Sequence, residues 1–219
     1  MNLVVLCDFD GTITTIDTAE LVLARFAQGD FRVFDRQFAK GELTLEECLN
    51  RQFSLVKASK TEILDELKDR VSFRPSFKGL AEFSKEERIP LMIVSAGLDF
   101  VIEYFLKLNN CQNLVEVFAP KTVFSASGIK FTFPRLVDNA SANFKHDMVK
   151  NFKKQDRKVV YAGDGLADWE AAKEADYPFA IEGSRLAKLC KSHGIACRVI
   201  TEFQEIIGAI RKIMSHEYC

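Results

Sequence analysis

The sequence has 219 residues, of which 47% are hydrophobic and 28% charged, and its formal net charge is −1. This composition indicates a globular protein with a large core, and it excludes a disordered chain, a fibrous protein and a small disulfide scaffold. The near-zero charge without a dense basic stripe argues against nucleic acid or an anionic membrane as a partner. No apolar run approaches the roughly 18 residues that a membrane span needs. Six cysteines without C-x-x-C spacing fit a reducing compartment, so the sequence predicts a cytoplasmic protein.

Six short apolar runs predict the strands of one sheet. They cover residues 3–7, 90–94, 115–119, 158–162, 178–181 and 197–200. Each run is continuous rather than alternating, which favours strands that are buried on both faces of a parallel sheet wrapped by helices. The predicted fold is therefore α/β with a doubly wound parallel sheet. Residues 122–133, with Ser-Ala-Ser-Gly at 125–128, predict a β-hairpin off that sheet.

Residues 15–72 interrupt this alternation with helical periodicity and no strand signal. Thr44 with Glu47, and Ser59 with Glu62, have the spacing of capping boxes that open two helices. We expect an insertion of about four helices that sits over the sheet as a lid. Its phenylalanines are expected in the core of the bundle rather than against a ligand: Phe26, Phe31, Phe34, Phe38 and Phe53. The predicted domains are an α/β core, residues 1–14 and 73–219, and the helical lid, residues 15–72.

The sequence Asp8-Phe9-Asp10-Gly11-Thr12 directly follows the first predicted strand. Functional groups of open parallel sheets collect at the carboxyl ends of the strands, so both carboxylates are expected at the ligand-binding edge. A solvated acidic turn would explain Asp10-Gly11 alone, but a hydrophobic strand that delivers two carboxylates is a much rarer coincidence. We therefore predict that Asp8 and Asp10 belong to a functional site.

A second pair of carboxylates, Asp164 and Asp168, follows the predicted strand at 158–162. Together with Asp8 and Asp10 they would form an oxygen-rich cluster, which a hard cation such as Mg²⁺ prefers. Without a cation such a cluster would repel itself. The sequence therefore predicts a magnesium site at the carboxyl edge of the sheet.

A third strand, at 90–94, ends in Ser95-Ala96-Gly97. A hydroxyl and small residues at this place let backbone N–H groups approach an anion closely. A serine after a strand is also common as a helix N-cap, so this signal is weak by itself.

These motifs resemble those of phosphatases of the haloacid dehalogenase superfamily, in the branch of phosphoserine phosphatase and the hydroxyketo-methylthiopentenyl phosphate phosphatase of methionine salvage. The resemblance includes the helical insertion and extends over essentially the whole chain. It is carried by D-F-D-G-T-I-T at 8–14, P-L-M-I-V-S-A-G-L-D-F at 90–100 and Y-A-G-D-G-L-A-D-W-E-A-A-K at 161–173. It implies a Rossmann-like core with a cap and a Mg²⁺-dependent phosphomonoesterase that works through an aspartyl phosphate.

The resemblance also implies a role for each group. Asp8 would be the nucleophile, and Asp10 the general acid that later activates water. Mg²⁺ would be held by Asp8, the backbone carbonyl of Asp10 and Asp164, with Asp168 holding the bound waters. Ser95 would belong to the catalytic set, and the phosphate-binding positions would be Gly11, Thr12, Ala96 and Gly97.

A lysine is needed because charge spreads over the phosphoryl oxygens during transfer. Lys145 and Lys150 are the candidates. A helix that feeds a parallel strand begins at the carboxyl edge of the sheet, so a helix capped by Asn143 would put Lys145 in its first turn and Lys150 about 7.5 Å deeper. The family pattern likewise places its lysine at Lys145.

Substrate specificity is expected from the lid. Asp17 matches the place where phosphoserine phosphatase has a glutamate that receives the amino group of its substrate, and a helix cap explains Asp17 equally well. The expected substrate is a small phosphorylated metabolite, and the expected assembly a monomer or homodimer. A phosphotransferase or mutase with the same phosphoaspartate step, and a non-catalytic phosphometabolite-binding protein, remain the alternatives.

Overall fold

A computed structural model of the protein describes residues 2–216, and the side chains of residues 2–215. Residues 1 and 217–219 of the predicted core lie outside the described part. Six strands form one parallel sheet: β1 Leu3–Cys7, β2 Leu91–Val94, β3 Glu116–Phe118, β6 Lys158–Gly163, β7 Tyr177–Ile181 and β8 Arg198–Ile200. Their order across the sheet is β3-β2-β1-β6-β7-β8. The predicted doubly wound sheet is confirmed.

Helices cover both faces of the sheet because successive side chains of each strand point to opposite sides. These helices are α5 Phe77–Glu86, α6 Asp99–Leu108, α7 Phe144–Lys154, α8 Trp169–Glu174, α9 Arg185–His193 and α10 Gln204–His216. In β1, Leu3 and Val5 pack into one core with α5, α6 and α10, whereas Val4 and Leu6 pack into a second core with α7, α8 and α9. The central strand β1 is therefore buried on both faces.

The two outermost strands depart from the prediction that all six runs are buried. Glu116 and Val117 in β3, and Arg198 and Val199 in β8, are exposed. Each strand lies at an edge of the sheet and is only three residues long. Short edge strands present one unpaired side to solvent, so apolar continuity in these two runs did not mean burial.

Four helices lie between β1 and α5: α1 Thr18–Phe26, α2 Arg32–Ala39, α3 Leu45–Ser54 and α4 Lys60–Leu67. Both capping boxes are present, since the hydroxyls of Thr44 and Ser59 accept from the backbone N–H groups of Glu47 and Glu62. The chain enters and leaves this region side by side, because the Thr15 N–H donates to the Ser72 carbonyl at 2.9 Å. The division into two domains at these crossings remains a prediction.

The predicted hairpin is formed by β4 Lys121–Ser125 and β5 Gly128–Thr132. It packs against α3 of the lid, where the rings of Phe53 and Phe131 meet edge to face with centroids 5.0 Å apart. The Asn50 side chain accepts from the backbone N–H of Phe131 at 2.8 Å. The hairpin therefore contacts the lid through both an aromatic pair and a hydrogen bond. Among the described residues, no helix has both the length and the apolar character required to cross a membrane.

Candidate active site

The site lies at the carboxyl ends of β1 and its two neighbours. β1 pairs in parallel with β2 on one side and with β6 on the other, so Cys7 is opposite both Ile93 and Ala162. In open α/β sheets the ligand crevice forms where the strand order reverses direction, which here is at β1. The residues that follow these three strands consequently converge on one edge.

The first of these segments is residues 8–14, termed the nucleophile loop because the sequence resemblance implies that Asp8 is the nucleophile. It is a wide helical turn over Phe9–Ile13, closed by the Thr14 N–H donating to the Phe9 carbonyl at 3.0 Å. Gly11 lies in the left-handed region with φ of 70°, and a Cβ at this position would collide with the Asp164 carboxylate. Glycine is therefore required here both for its backbone conformation and for the close approach of that carboxylate.

A buried ion pair of the site joins Asp8 to Lys145. Lys145 Nζ is 2.8 Å from Asp8 Oδ1 and 2.7 Å from Asp168 Oδ1, and the lysine side chain is 1% exposed. Asp8 also accepts from the Phe9 N–H at 2.7 Å. Its orientation is therefore fixed by a charged partner and by the loop backbone.

Asp168 is held by four donors. Its Oδ1 accepts from Lys145 Nζ and from the Tyr161 hydroxyl, both at 2.7 Å. Its Oδ2 accepts from the backbone N–H groups of Asp164 at 3.1 Å and Gly165 at 2.8 Å. Because both oxygens are occupied, Asp168 organises its neighbours: it holds the lysine and shapes the loop that carries Asp164.

Asp10 and Asp164 face the site from two sides. Asp10 Oδ1 accepts from the backbone N–H of Thr18 at 3.1 Å and from the Thr18 hydroxyl, so the start of α1 holds this carboxylate. Asp164 Oδ1 accepts from the Thr12 hydroxyl at 3.1 Å. The nucleophile loop therefore contacts the loop after β6 directly.

Burial dominates the electrostatics of the carboxyl groups. It raises the pKa of Asp10 to about 7, helped by the charge of Asp17, and raises that of Asp164 to about 7, helped by Asp168. The pKa of Asp8 also lies well above its usual range, because burial outweighs the attraction of Lys145. Burial therefore favours the protonated form of Asp10.

The pKa values of Lys145 and Asp168 shift in the directions that favour the charged forms of both groups. Burial alone would lower the pKa of Lys145, but the neighbouring Asp168 and Asp8 raise it above its usual value. Burial would raise the pKa of Asp168, yet Lys145 and the Tyr161 hydroxyl hold it below its usual range. The pair is consequently charged at neutral pH.

The predicted helix start at Asn143 is confirmed. The Asn143 side chain accepts from the backbone N–H groups of Lys145 and His146, both at 3.0 Å, and α7 begins at Phe144. Lys145 thus reaches the carboxyl edge from the first turn of α7. Lys150 points elsewhere, since its Nζ is 2.6 Å from Asp138 Oδ2.

Ser95, Ala96 and Gly97 are brought to the same edge in different ways. Ala96 and Gly97 line the cavity, and a Cβ at Gly97 would collide with Asp10 Oδ2. The Ser95 hydroxyl is fully buried and accepts from the Gly97 N–H at 3.0 Å. Ser95 does not cap α6, because Leu98 is the residue that precedes that helix.

A cavity of about 270 Å³ opens between the sheet edge and the lid. On the core side it is lined by Asp8, Asp10, Ala96, Gly97, Lys145, Asp164, Gly165, Leu166, Ala167, Asp168 and Arg185, and on the lid side by Asp17, Ala19, Glu20, Leu23, Asp35, Phe38, Leu45, Cys48, Leu49 and Gln52. Gly11, Thr12 and Ser95 are not among these residues. Phe38 contributes to the cavity wall, so its assignment to the lid core alone is wrong.

Asp17 caps a helix and also lines the cavity. Its Oδ1 accepts from the Glu20 N–H at 2.8 Å, so it caps α1, and its side chain also lines the cavity. Across the lid, Asp35 Oδ1 accepts from Gln52 Nε2 at 2.8 Å, which adds a second polar group to the same wall.

Sequence reasoning missed Thr18, Tyr161 and Arg74. The threonine contacts Asp10 and the tyrosine contacts Asp168, while Arg74 donates to backbone carbonyls of the nucleophile loop. Tyr161 lies in the apolar run of β6, and this pattern indicates a buried strand residue rather than a site residue. None of these contacts has a local sequence signature.

The donor set fits a divalent cation. Carboxylate oxygens of Asp8, Asp164 and Asp168 lie within 4.8 Å of one another. The Lys145 ammonium contacts two of these three carboxyl groups, so one positive charge of the protein faces three groups that can each carry a negative charge in a largely buried place. Hard oxygen ligands with excess negative charge are the chemistry that Mg²⁺ prefers.

Comparisons with known proteins agree with this geometry. The haloacid dehalogenase-like hydrolase family matches residues 5–173. A 2-hydroxy-3-keto-5-methylthiopentenyl-1-phosphate phosphatase of Geobacillus kaustophilus is 30% identical over 97% of both chains, and one of Exiguobacterium sibiricum is 30% identical over 96% of this chain and 97% of its own.

Solved structures of phosphoserine phosphatases share the fold. One in complex with its substrate has a TM-score of 0.70 at 19% identity and covers 95% of this chain and 98% of its own. Another, from T. onnurineus, has a TM-score of 0.67 at 20% identity and covers 96% of this chain and 94% of its own. The chain belongs to the haloacid dehalogenase-like hydrolases, and its relatives at 30% identity are phosphatases.

Proposed function

We propose that this phosphatase is a Mg²⁺-dependent enzyme that hydrolyses a small phosphorylated metabolite through an aspartyl phosphate on Asp8. The observation that carries the proposal is the buried Asp8 carboxylate, held by Lys145 at 2.8 Å at the end of the central strand, with Asp10 two residues further on. A carboxylate in this setting is suited to attack phosphorus.

In the first step, Asp8 attacks phosphorus and the bond from phosphorus to the ester oxygen breaks. Asp10 gives its proton to the leaving oxygen, a role supported by the raised pKa that burial produces. The Lys145 ammonium offsets charge on the phosphoryl oxygens. In the second step, Asp10 takes a proton from water, the water oxygen bonds to phosphorus, and the bond from phosphorus to Asp8 breaks.

The residues that would hold Mg²⁺ are Asp8, Asp164 and the backbone carbonyl of Asp10. The four donors already on Asp168 support an indirect role for that residue, through the positions of Lys145 and Asp164. A bound Mg²⁺ would supply positive charge against the phosphate and keep Asp8 ionised. The backbone N–H groups of Ala96 and Gly97 would bind the phosphate, and the Ser95 hydroxyl would hold Gly97 in place. On the opposite side of the site, Gly11 and Thr12 would shape the loop that carries Asp8.

The lid wall would choose the leaving group and exclude bulk water. It combines the carboxylates of Asp17 and Asp35 with apolar side chains such as Phe38 and Leu49. This mixture supports a leaving group that has both polar and apolar parts.

The test is a panel of phosphorylated metabolites with Mg²⁺ in which release of inorganic phosphate is measured. The panel includes p-nitrophenyl phosphate, phosphoserine and 2-hydroxy-3-keto-5-methylthiopentenyl-1-phosphate. We expect turnover of p-nitrophenyl phosphate and a preferred metabolite with a higher kcat/KM. Phosphoryl transfer to an added alcohol without phosphate release would indicate a phosphotransferase, and binding without turnover would indicate a sensor.

The variant Asp8→Asn tests the mechanism. It keeps the shape of the side chain but removes the attacking charge and a metal ligand, so kcat should fall by several orders of magnitude while the fold is retained. Asp65→Asn is a matched control on the lid surface, where Asp65 pairs with Lys68. Appreciable activity of verified Asp8→Asn protein would exclude the aspartyl phosphate.

A further inference from the structure

Arg74 lies just after the crossing where the chain returns from the lid to the core. Its guanidinium donates to two successive carbonyls of the nucleophile loop: Nε to Thr12 O and Nη2 to Gly11 O, each at 2.9 Å. Its backbone N–H donates to a third, Ile13 O, at 2.7 Å. Its Nη1 is 3.5 Å from Thr201 O. One residue therefore contacts three consecutive peptide groups of the loop that carries Asp8.

Such a contact fixes the orientation of the loop peptides. A trans peptide is planar, so a carbonyl held by a donor also fixes the direction of the N–H in the same plane. The peptides after Gly11 and Thr12 are fixed in this way while Gly11 keeps its left-handed conformation. The Thr12 side chain, which lies between the two held carbonyls, is thereby aimed at Asp164 and donates to its Oδ1 at 3.1 Å.

We propose that Arg74 is a positioning residue that holds Asp164 in the geometry needed for Mg²⁺ and phosphoryl transfer, acting through the backbone and hydroxyl of Thr12. The inference rests on the proposed function. Arg74 touches neither Asp8 nor the cavity wall, so its effect passes through the loop.

Arginine suits this place better than lysine. Its planar group offers donors in a fixed fork that can meet two carbonyls at once, whereas an ammonium is a single point of charge. Its positive charge also lies near enough to Asp164 for the two to attract each other. Outer partners of metal ligands typically contribute 10–100-fold to metal affinity or activity.

The test compares Arg74→Lys with wild type by the Mg²⁺-dependent rise in Tm without substrate and by kcat and KM for p-nitrophenyl phosphate. We expect roughly tenfold weaker Mg²⁺ binding and about 10–100-fold lower kcat, with KM within about threefold. Arg70→Lys is the matched control, because Arg70 is exposed and pairs with Glu66 in the lid, and it should match wild type. A lower Tm with wild-type Mg²⁺ affinity and kcat in Arg74→Lys would reduce Arg74 to a structural role and overturn the inference.

Thr12→Val gives a second arm that leaves Arg74 in place. It should reproduce the loss of Mg²⁺ affinity, and in the double variant the two effects should not add, because both act on Asp164. The proposal that Arg74 acts on Asp164 through Thr12 would be overturned by wild-type Mg²⁺ affinity in Thr12→Val. It would also be overturned if the losses of Mg²⁺ affinity in the two single variants added fully in the double variant. If wild type binds Mg²⁺ but releases no phosphate from any ester, the proposed function fails while the Mg²⁺ measurements still decide the role of Arg74.

Discussion

Two lysines five positions apart on one helix have different surroundings. Lys145, in the first turn of α7, lies between two buried carboxylates, whereas Lys150 pairs with Asp138 at the surface of the molecule. Charge that develops in a water-excluded site interacts more strongly with a fixed cation than the same charge in solvent. The position on the helix, and not the residue type, separates the two roles.

Replacement of each lysine by alanine tests this difference. Lys145→Ala should lower kcat by about 10²–10³, which is typical for loss of a transition-state charge partner. Lys150→Ala should leave kcat near wild type, and loss of its partly exposed pair should change the free energy of unfolding by at most about 1 kcal/mol. Steady-state kinetics and urea denaturation of both variants provide the measurement, and a larger kcat loss for Lys150→Ala would contradict the assignment.

Asp17 needs a variant that separates its two contacts. Asparagine caps helices about as well as aspartate, so Asp17→Asn should keep the Tm close to wild type while removing the charge from the cavity wall. We expect kcat/KM for the best metabolite to fall much more than kcat/KM for p-nitrophenyl phosphate. Asp17→Ala serves as the comparison and should also lose about 1 kcal/mol of stability with its cap. Equal kinetic losses on both substrates would leave Asp17 with the capping role alone.

At the scale of elements, two of the contacts that join the lid to the core lie outside the cavity wall. One is the paired crossing at Thr15 and Ser72, and the other is the contact of α3 with the hairpin through Asn50, Phe53 and Phe131. A lid that opens must therefore carry the hairpin with it or break the Asn50 contact.

Asn50→Ala measures the strength of this joint. It leaves the backbone N–H of Phe131 without its acceptor, and a half-buried group that loses its partner costs about 1–2 kcal/mol. Asn113→Ala, on an exposed turn, should change the free energy of unfolding by less than about 0.5 kcal/mol. Urea denaturation of both variants measures the free energy of unfolding. A loss in Asn50→Ala no larger than that in Asn113→Ala would show that the contact between Asn50 and Phe131 does not stabilise the fold.

Local sequence signals predicted much of this architecture. Strand ends, capping boxes and the start of α7 at Asn143 depend on neighbouring residues, so their patterns are visible in the chain. The contacts that complete the site join residues far apart in sequence: Arg74 is 63 positions from Gly11, and Asn50 is 81 from Phe131. Such contacts depend on tertiary packing and have no periodic signature. For the same reason, hydrophobic continuity alone could not identify β3 and β8 as edge strands.

At the scale of the whole molecule, the buried carboxyl groups of the site oppose folding when they are ionised and no metal is bound. Burial raises the pKa of Asp10 and of Asp164 to about 7, and it also raises that of Asp8. A carboxyl group with a raised pKa in the folded protein binds a proton that the unfolded chain has released. The folded state is therefore favoured as the pH falls from about 7 toward the unfolded value near 4, and loses stability as the pH rises through this window.

Metal-free protein should accordingly become easier to unfold between about pH 5 and about pH 7, with a slope of up to about 1.4 kcal/mol per pH unit for each proton involved. Urea denaturation in EDTA at several pH values measures the slope. Asp164→Asn removes one of the titrating groups and should flatten it, whereas Asp65→Asn at the lid surface should not. Saturating Mg²⁺ should also flatten it, since a ligand that binds the ionised carboxylates stabilises the folded state most where protons have left. A slope that is unchanged by both Asp164→Asn and Mg²⁺ would place the titrating groups outside this site.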